Sequence, residues 1–163
     1  MLPLTLLTLL LPTSALPLNS HPNIKATAIP AYNITSFSAG AVILSHRVYY
    51  RFNVSHTPNQ PPVECSALGT TLDEDLSSIP QTICGDPSTS KVSFKWTRHE
   101  DGSADLFVRH EVEGDGDSDG VTEEAIHAVK KNETVVVGSG QLAHRVYQGP
   151  EEFSIPAFRF HAS

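Results

Sequence analysis

One stretch, VILSHRVYYRFNVS at residues 42–55, constrains the fold more than any other. Val42, Leu44, His46, Val48, Tyr50, Phe52 and Val54 occupy its even positions, and Ile43, Ser45, Arg47, Tyr49, Arg51, Asn53 and Ser55 the odd ones. Apolar side chains at every second residue mark a strand with one buried face, because successive side chains of extended backbone point to opposite sides. The spacing predicts one long strand over 42–55, with Asn53 of the sequon Asn53-Val54-Ser55 on its outward face. Such a strand needs partners on both edges.

The rest of the chain supplies them. A shorter run at 32–37 precedes the long strand and ends at the turn signal Ser38-Ala39-Gly40. Pro58, Pro61 and Pro62 mark a loop over 57–62, since proline cannot donate to a ladder, and 63–67 returns as a short strand carrying Cys65. Residues 68–82 are polar and acidic and read as irregular chain with at most one helical turn. Residues 91–98 and 104–112 alternate on either side of Glu100-Asp101-Gly102-Ser103, and Asp-Gly between two alternating runs predicts a β-hairpin. The acidic segment 113–120, EGDGDSDG, reads as a loop tip. Further strands are expected at 125–130, 134–137, 141–147 and 153–160, parted by Lys131-Asn132, Gly138-Ser139-Gly140 and Gly149-Pro150. No run at a 3.6-residue period is long enough for a helix. The fold class is therefore all-β: a single antiparallel β-barrel or sandwich.

The first residues set the compartment. An apolar run from Leu2 to Leu11, followed by Thr13-Ser14-Ala15, predicts a secretory signal peptide over 1–15; it stops at Pro12 and Pro17, too short to span a bilayer. Residues 16–31 hold three prolines and no periodicity and read as a flexible mature N-terminus, leaving 32–163 as the domain. The net charge of −7 argues against nucleic acid or an anionic membrane as partner. An oxidising route favours pairing the two cysteines, Cys65 and Cys84, in a structural bridge worth roughly 3 kcal/mol by chain entropy. Their spacing is not that of a redox pair. Sequons at Asn33, Asn53 and Asn132 are candidate glycosylation sites.

Several landmarks fall in a familiar order: Tyr32-Asn33-Ile34-Thr35-Ser36-Phe37, Phe52-Asn53-Val54, Cys65-Ser66-Ala67, Cys84-Gly85-Asp86, Val92-Ser93-Phe94-Lys95-Trp96 and Asp105-Leu106-Phe107-Val108. With the closing Val146-Tyr147-Gln148-Gly149-Pro150 and Phe153-Ser154-Ile155-Pro156, the chain from Tyr32 onward resembles the small secreted fungal proteins similar to the Alternaria major allergen. The resemblance implies a compact β-barrel pinned by a central Cys65–Cys84 disulfide, and an allergen-like or effector-like role between fungus and plant host. The further cysteines of the best-known pattern, for a second bridge and a covalent dimer, are missing here. If Cys65 pairs with Cys84, any dimer is non-covalent.

No constellation points to catalysis. Asp115, Asp117, Asp119 and Gly120 fit the first half of a calcium loop, but its bidentate Glu is replaced by Ile126, and a solvated tip is the expectation. His99-Glu100 and His110-Glu111 flank the hairpin and could face each other, without the spacing of a zinc site. Gly138-Ser139-Gly140 is only a fragment of a nucleophile elbow. No cofactor, metal or catalytic residue is assigned. Tyr49, Phe107, Phe158 and Phe160 fall opposite the expected core faces. The first expectation is that both sheet faces are covered, in a sandwich or at a dimer contact; the alternative is a partner surface. The expected function is that of a secreted non-enzymatic protein binding a host extracellular protein or a small apolar ligand. The alternative is a structural cell-wall or surface glycoprotein, and a hydrolase centred on His99 and His110 comes third.

Overall fold

The computed structural model describes residues 31–56, 61–71, 75–112 and 121–161. The expected signal segment, most of the N-terminal stretch and the acidic tip at 113–120 lie outside them. Ten strands follow in chain order: β1 (Ala31–Ala41), β2 (Arg47–Ser55), β3 (Val63–Thr70), β4 (Ile79–Ile83), β5 (Val92–Arg98), β6 (Ala104–Val112), β7 (Val121–Val129), β8 (Thr134–Val137), β9 (His144–Tyr147) and β10 (Phe153–His161). Every pairing is antiparallel, in the order β3-β2-β1-β10-β7-β6-β5-β4, which nearly closes into a barrel. The β8–β9 hairpin branches off through Gly40 and Val146. Among the described residues the only helical turns are 3-10, at Lys131–Glu133 and Gly140–Leu142.

The seam lies between β3 and β4, which form no ladder with each other. Two links span it instead: the Cys65–Cys84 disulfide, as expected, and a bond of 2.8 Å from Gly85 N–H to the Glu64 carbonyl. Both ends of the open sheet are thus tied without a continuous strand edge to template aggregation.

The alternation read at 42–55 holds only from Arg47 onward. There Val48, Tyr50, Phe52 and Val54 are buried, while Val42, Ile43 and Leu44 are exposed at the β1–β2 connection. Ser45 N–H bonds the Val42 carbonyl at 3.1 Å, and Leu44 adopts φ 56°, so the chain reverses here and not at Ser38-Ala39-Gly40. The apolar run misled because its residues share strand chemistry with β2 but serve as a turn. Strand β1 continues through the expected stop by means of a bulge. Ser36 has φ 55° and the register with β2 shifts between Thr35 and Ser38, so the buried parity changes from Tyr32 and Ile34 to Phe37, Ala39 and Ala41. Gly40 remains in the strand because the Tyr49 ring lies where a Cβ would stand, 2.9 Å away.

Two further differences have local causes. Residues 79–83, read as irregular, form β4; Pro80 is tolerated because this is the edge strand and its ladder shifts register between Ile79 and Thr82. Strand β7 begins at Val121, four residues before the expected start at Ala125. The hairpin of β5 and β6 is as expected, with Gly102 at φ 87° and Asp101 holding the Ser103 N–H and hydroxyl at 2.9 and 2.6 Å.

The core runs along the barrel axis. Phe37 meets Phe52, Trp96, Tyr147 and Phe153 with ring centroids 5.6, 6.1, 4.7 and 5.8 Å apart. Buried aromatics of this kind contribute about 0.5–1.5 kcal/mol per pair beyond the area they hide. The outer face is not covered: Tyr49 is partly exposed, and Phe158 and Phe160 are more than half exposed. Within one chain the sandwich expectation fails, because a barrel has one inside and each strand's second face points outward. Phe107 is half-buried, shielded by Lys95, whose Nζ stands 4.3 Å above its ring.

Candidate functional site

Five strands continue their inward parity past the apolar core at one end of the barrel, and there the inward positions turn polar. On β2 the series Val48, Tyr50, Phe52, Val54 leads to His56; on β6 Ala104, Leu106, Val108 leads to His110. On β7 the series Val129, His127, Ala125 leads back to Glu123, and on β10 Ile155, Ala157 leads to Arg159. Strand β1 contributes Tyr32. Register brings them together: His110 faces Glu123, and Glu123 faces Arg159.

Glu123 is the hub and has no solvent-exposed surface. Arg159 Nε donates to its Oε1 at 2.7 Å, and the Tyr32 hydroxyl donates to Oε2 at 3.1 Å. Nε2 of His56 lies 2.9 Å from Oε2, and Nδ1 of His110 lies 4.0 Å from it. Neither nitrogen is aligned for a hydrogen bond, and both are buried. The two imidazole rings are 5.8 Å apart, and His56 also packs against Tyr32 at 5.1 Å.

The electrostatics follow from burial and neighbours. Burial alone would push the Glu123 carboxyl up, but the Arg159 hydrogen bond, the nearby His56 and the Tyr32 hydroxyl outweigh it and hold the group below its ordinary value. Burial lowers the His110 imidazole, and His56 lowers it further against the opposing pull of Glu123. Tyr32 is pushed well above the usual phenol range, by burial first and by the Glu123 charge second. At neutral pH the hub therefore holds the Glu123 anion and the Arg159 cation beside a His110 imidazole that resists protonation.

Above this hub opens a pocket of about 330 Å³. Val54, Val63 and Val92 form apolar wall, Tyr32, His56 and His110 the polar floor, and Asp86 and Lys91 stand at its rim on the β4–β5 connection. This volume is at the small end of the range found for ligand sites. A second hollow, about 240 Å³, lies on the outer face between Gln81, Lys95, Phe107 and Glu124.

Among the described residues no serine hydroxyl hydrogen-bonds to either imidazole. Both carboxylate oxygens of Glu123 are already engaged by Arg159 and Tyr32, and among the described residues no group of three or more His, Cys, Asp or Glu side chains is placed to hold a metal ion. His99 and His110 do not face each other: Val92 pairs with His110 and Arg98 with Ala104, so the two histidines occupy opposite ends of the hairpin. His99 is paired with Asp105 at 2.9 Å instead. Of the sequon residues, Asn132 is exposed, while Asn53 is half-buried on the outer face and Asn33 accepts the Ser154 hydroxyl at 2.5 Å.

Sequence reasoning missed Glu123, His56, Tyr32 and Arg159. The signal was available: extending each inward series by one or two positions reaches all four. Glu123 was hidden because the strand that carries it was started at Ala125, and Arg159 because its flanking Phe158 and Phe160 drew attention to the opposite face.

No protein-family model and no curated protein matches the chain by sequence. Solved structures do match it by shape. One crystal structure of the Alternaria alternata major allergen Alt a 1 superposes with a TM-score of 0.52 at 20% identity, covering 88% of this chain and 98% of the allergen's. A second gives a TM-score of 0.50 at 17% identity, covering 82% and 96%. The likeness is one of fold, and with it the resemblance read from the sequence is met: the chain folds as an Alt a 1-like antiparallel β-barrel.

Proposed function

We propose that this is a secreted, non-enzymatic fungal protein of the allergen-like kind, and that it acts by binding a small ligand with an apolar body at the Glu123 end of the barrel. The observation that carries the reading is the 330 Å³ pocket, with valine walls and a floor where two buried imidazole nitrogens have no hydrogen-bond partner. A packed barrel ordinarily fills such a space with its own side chains, and convergent polar groups under an apolar wall are the usual make-up of a ligand site. The signal-like leader, the disulfide and the sequons at Asn33, Asn53 and Asn132 support secretion and glycosylation.

A melting screen of the oxidised protein against small amphipathic molecules tests the binding reading. Ligands should raise Tm in wild type, and Val63→Phe, which narrows the pocket from its half-buried wall, should abolish the shift. Shifts that survive Val63→Phe would place the ligand elsewhere.

A second reading, contact with a host extracellular protein, rests on Phe158 and Phe160 of β10 and Ile126 of β7, all exposed on adjacent strands of the outer face. Retention of a plant protein that is lost in Phe158→Ser/Phe160→Ser but kept in Val63→Phe would favour it. Recovery in the wall fraction instead of the culture fluid would favour a structural wall glycoprotein.

A further inference from the structure

We infer that the pocket selects amphipathic anions, seating the charged head on His56 and His110 and the apolar body along Val54, Val63 and Val92, and that it takes them up at mildly acidic pH. This rests on the small-ligand reading above and names the ligand class.

Among the described residues, the charged and titratable groups that face the floor come from six elements. Strand β1 presents Tyr32, the end of β2 His56, the β4–β5 connection Asp86 and Lys91, β6 His110, β7 Glu123 and β10 Arg159. Arg109 and Glu111, which flank His110, point to the other face and lie 3.9 Å from each other. Glu123 is balanced by Arg159 at 2.7 Å. Asp86 and Lys91 are opposite charges at the rim, and the Asp86 carboxylate is further engaged by the Ser88 N–H and hydroxyl at 2.9 and 2.7 Å. With neutral imidazoles the described groups around the pocket carry no net charge. Histidine is the side chain that changes charge between pH 5 and 8. Protonation of an imidazole here puts positive charge in a half-enclosed site where the two rings stand 5.8 Å apart. Among the described residues, the one carboxylate within 4.0 Å of the two rings is Glu123, and it is already committed to Arg159 and Tyr32. An incoming anion supplies the missing countercharge, and the valine walls supply apolar contact that an inorganic anion cannot use. The pocket is too small for a folded partner.

Octane sulfonate is the probe, because its charge is constant across the histidine range, with octanol as its uncharged counterpart. Calorimetric titration of wild type at pH 5.5 and 7.5 should show the sulfonate binding about fivefold more tightly at the lower pH, the factor expected over this interval if the anion raises one imidazole pKa by one unit. Octanol should bind equally at both. His56→Gln/His110→Gln should remove the pH dependence for the sulfonate, so that its affinities at pH 5.5 and 7.5 coincide. Independently of any variant, the His110 imidazole resonance in wild type should titrate at higher pH with the sulfonate present. Equal binding of octanol and sulfonate at pH 5.5, or sulfonate binding that ignores pH, overturns the anion selectivity while leaving a ligand pocket in place. Failure of both probes at both pH values overturns the pocket reading as well.

Discussion

The two ends of the barrel use the same device with opposite consequences. Each buries a carboxylate where strands converge and surrounds it with bases from other strands. At the β5–β6 and β8–β9 hairpin end the acid is Asp75, paired with Arg98 and with Arg145 Nε at 2.7 Å, while Arg145 also donates to the Thr134 carbonyl at 3.1 Å. At the other end the acid is Glu123, and two of its neighbours are histidines. Guanidinium groups stay charged throughout the physiological range, whereas imidazoles do not. The Asp75 end is also capped, with the β8–β9 hairpin leaving no enclosed volume among Asp75, Trp96, Arg98 and Arg145. The Glu123 end keeps 330 Å³ open. One end is a fixed ion-pair network under a cap, and the other a histidine-bearing one under an opening.

The largest test of this contrast is to cut the seam. Cys65→Ala with Cys84→Ala should cost about 3 kcal/mol and lower Tm by about 6 °C or more. Because the pocket wall at Val63 and Asp86 adjoins the bridge, amide exchange should accelerate first at the Glu123 end. Uniform acceleration would mean that the two ends open together.

Asp75→Asn should cost about 2 kcal/mol by leaving Arg145 and Arg98 without their acid. The loss, read as a shift in urea midpoint, should be the same at pH 7.5 and 5.5. A pH-dependent loss would show that the capped end titrates too.

Acidification should weaken the empty protein, and the sign follows from the directions of shift. His110 and His127 sit below their ordinary value because burial opposes their charge, so the unfolded chain binds their protons first and stability falls as pH drops below 6.5. Glu123 is also held below its ordinary value of 4.5, so its contribution is present above that pH and is lost only in more acidic solution. Melting at pH 7.5 and 5.5 should show a decline that His110→Gln diminishes. An unchanged decline would assign it to His127 or to the surface.

The smallest effect belongs to the β1–β2 turn at the capped end. Leu44 holds φ 56° while largely exposed, and Leu44→Gly should stabilise by about 1 kcal/mol by removing the left-handed strain. A loss of stability would mean that the leucine side chain contributes packing not evident from its exposure.

Much of this architecture was legible in residue order. Alternation located β2, β5, β6, β8 and β10, and Asp101-Gly102 located the hairpin, because period-two burial and turn chemistry are local properties. Errors came where a distant partner overrode local preference. Gly40 reads as a turn until Tyr49 covers it from the next strand, and Pro80 reads as a break until β4 proves to be an edge. Likewise 42–46 reads as strand until the bulge at Ser36 lengthens β1 and moves the reversal there.

The chain by itself determined that it is all-β, that one face of each strand is apolar, and that two cysteines are available to close it. These follow from side-chain polarity at fixed spacing. Only the tertiary structure decided that Tyr32, His56, His110, Glu123 and Arg159 form one cluster, because they come from five strands up to 127 positions apart and meet through register. Register is set by bulges and by which strands become neighbours as the barrel curls, and neither is written in any single stretch of sequence.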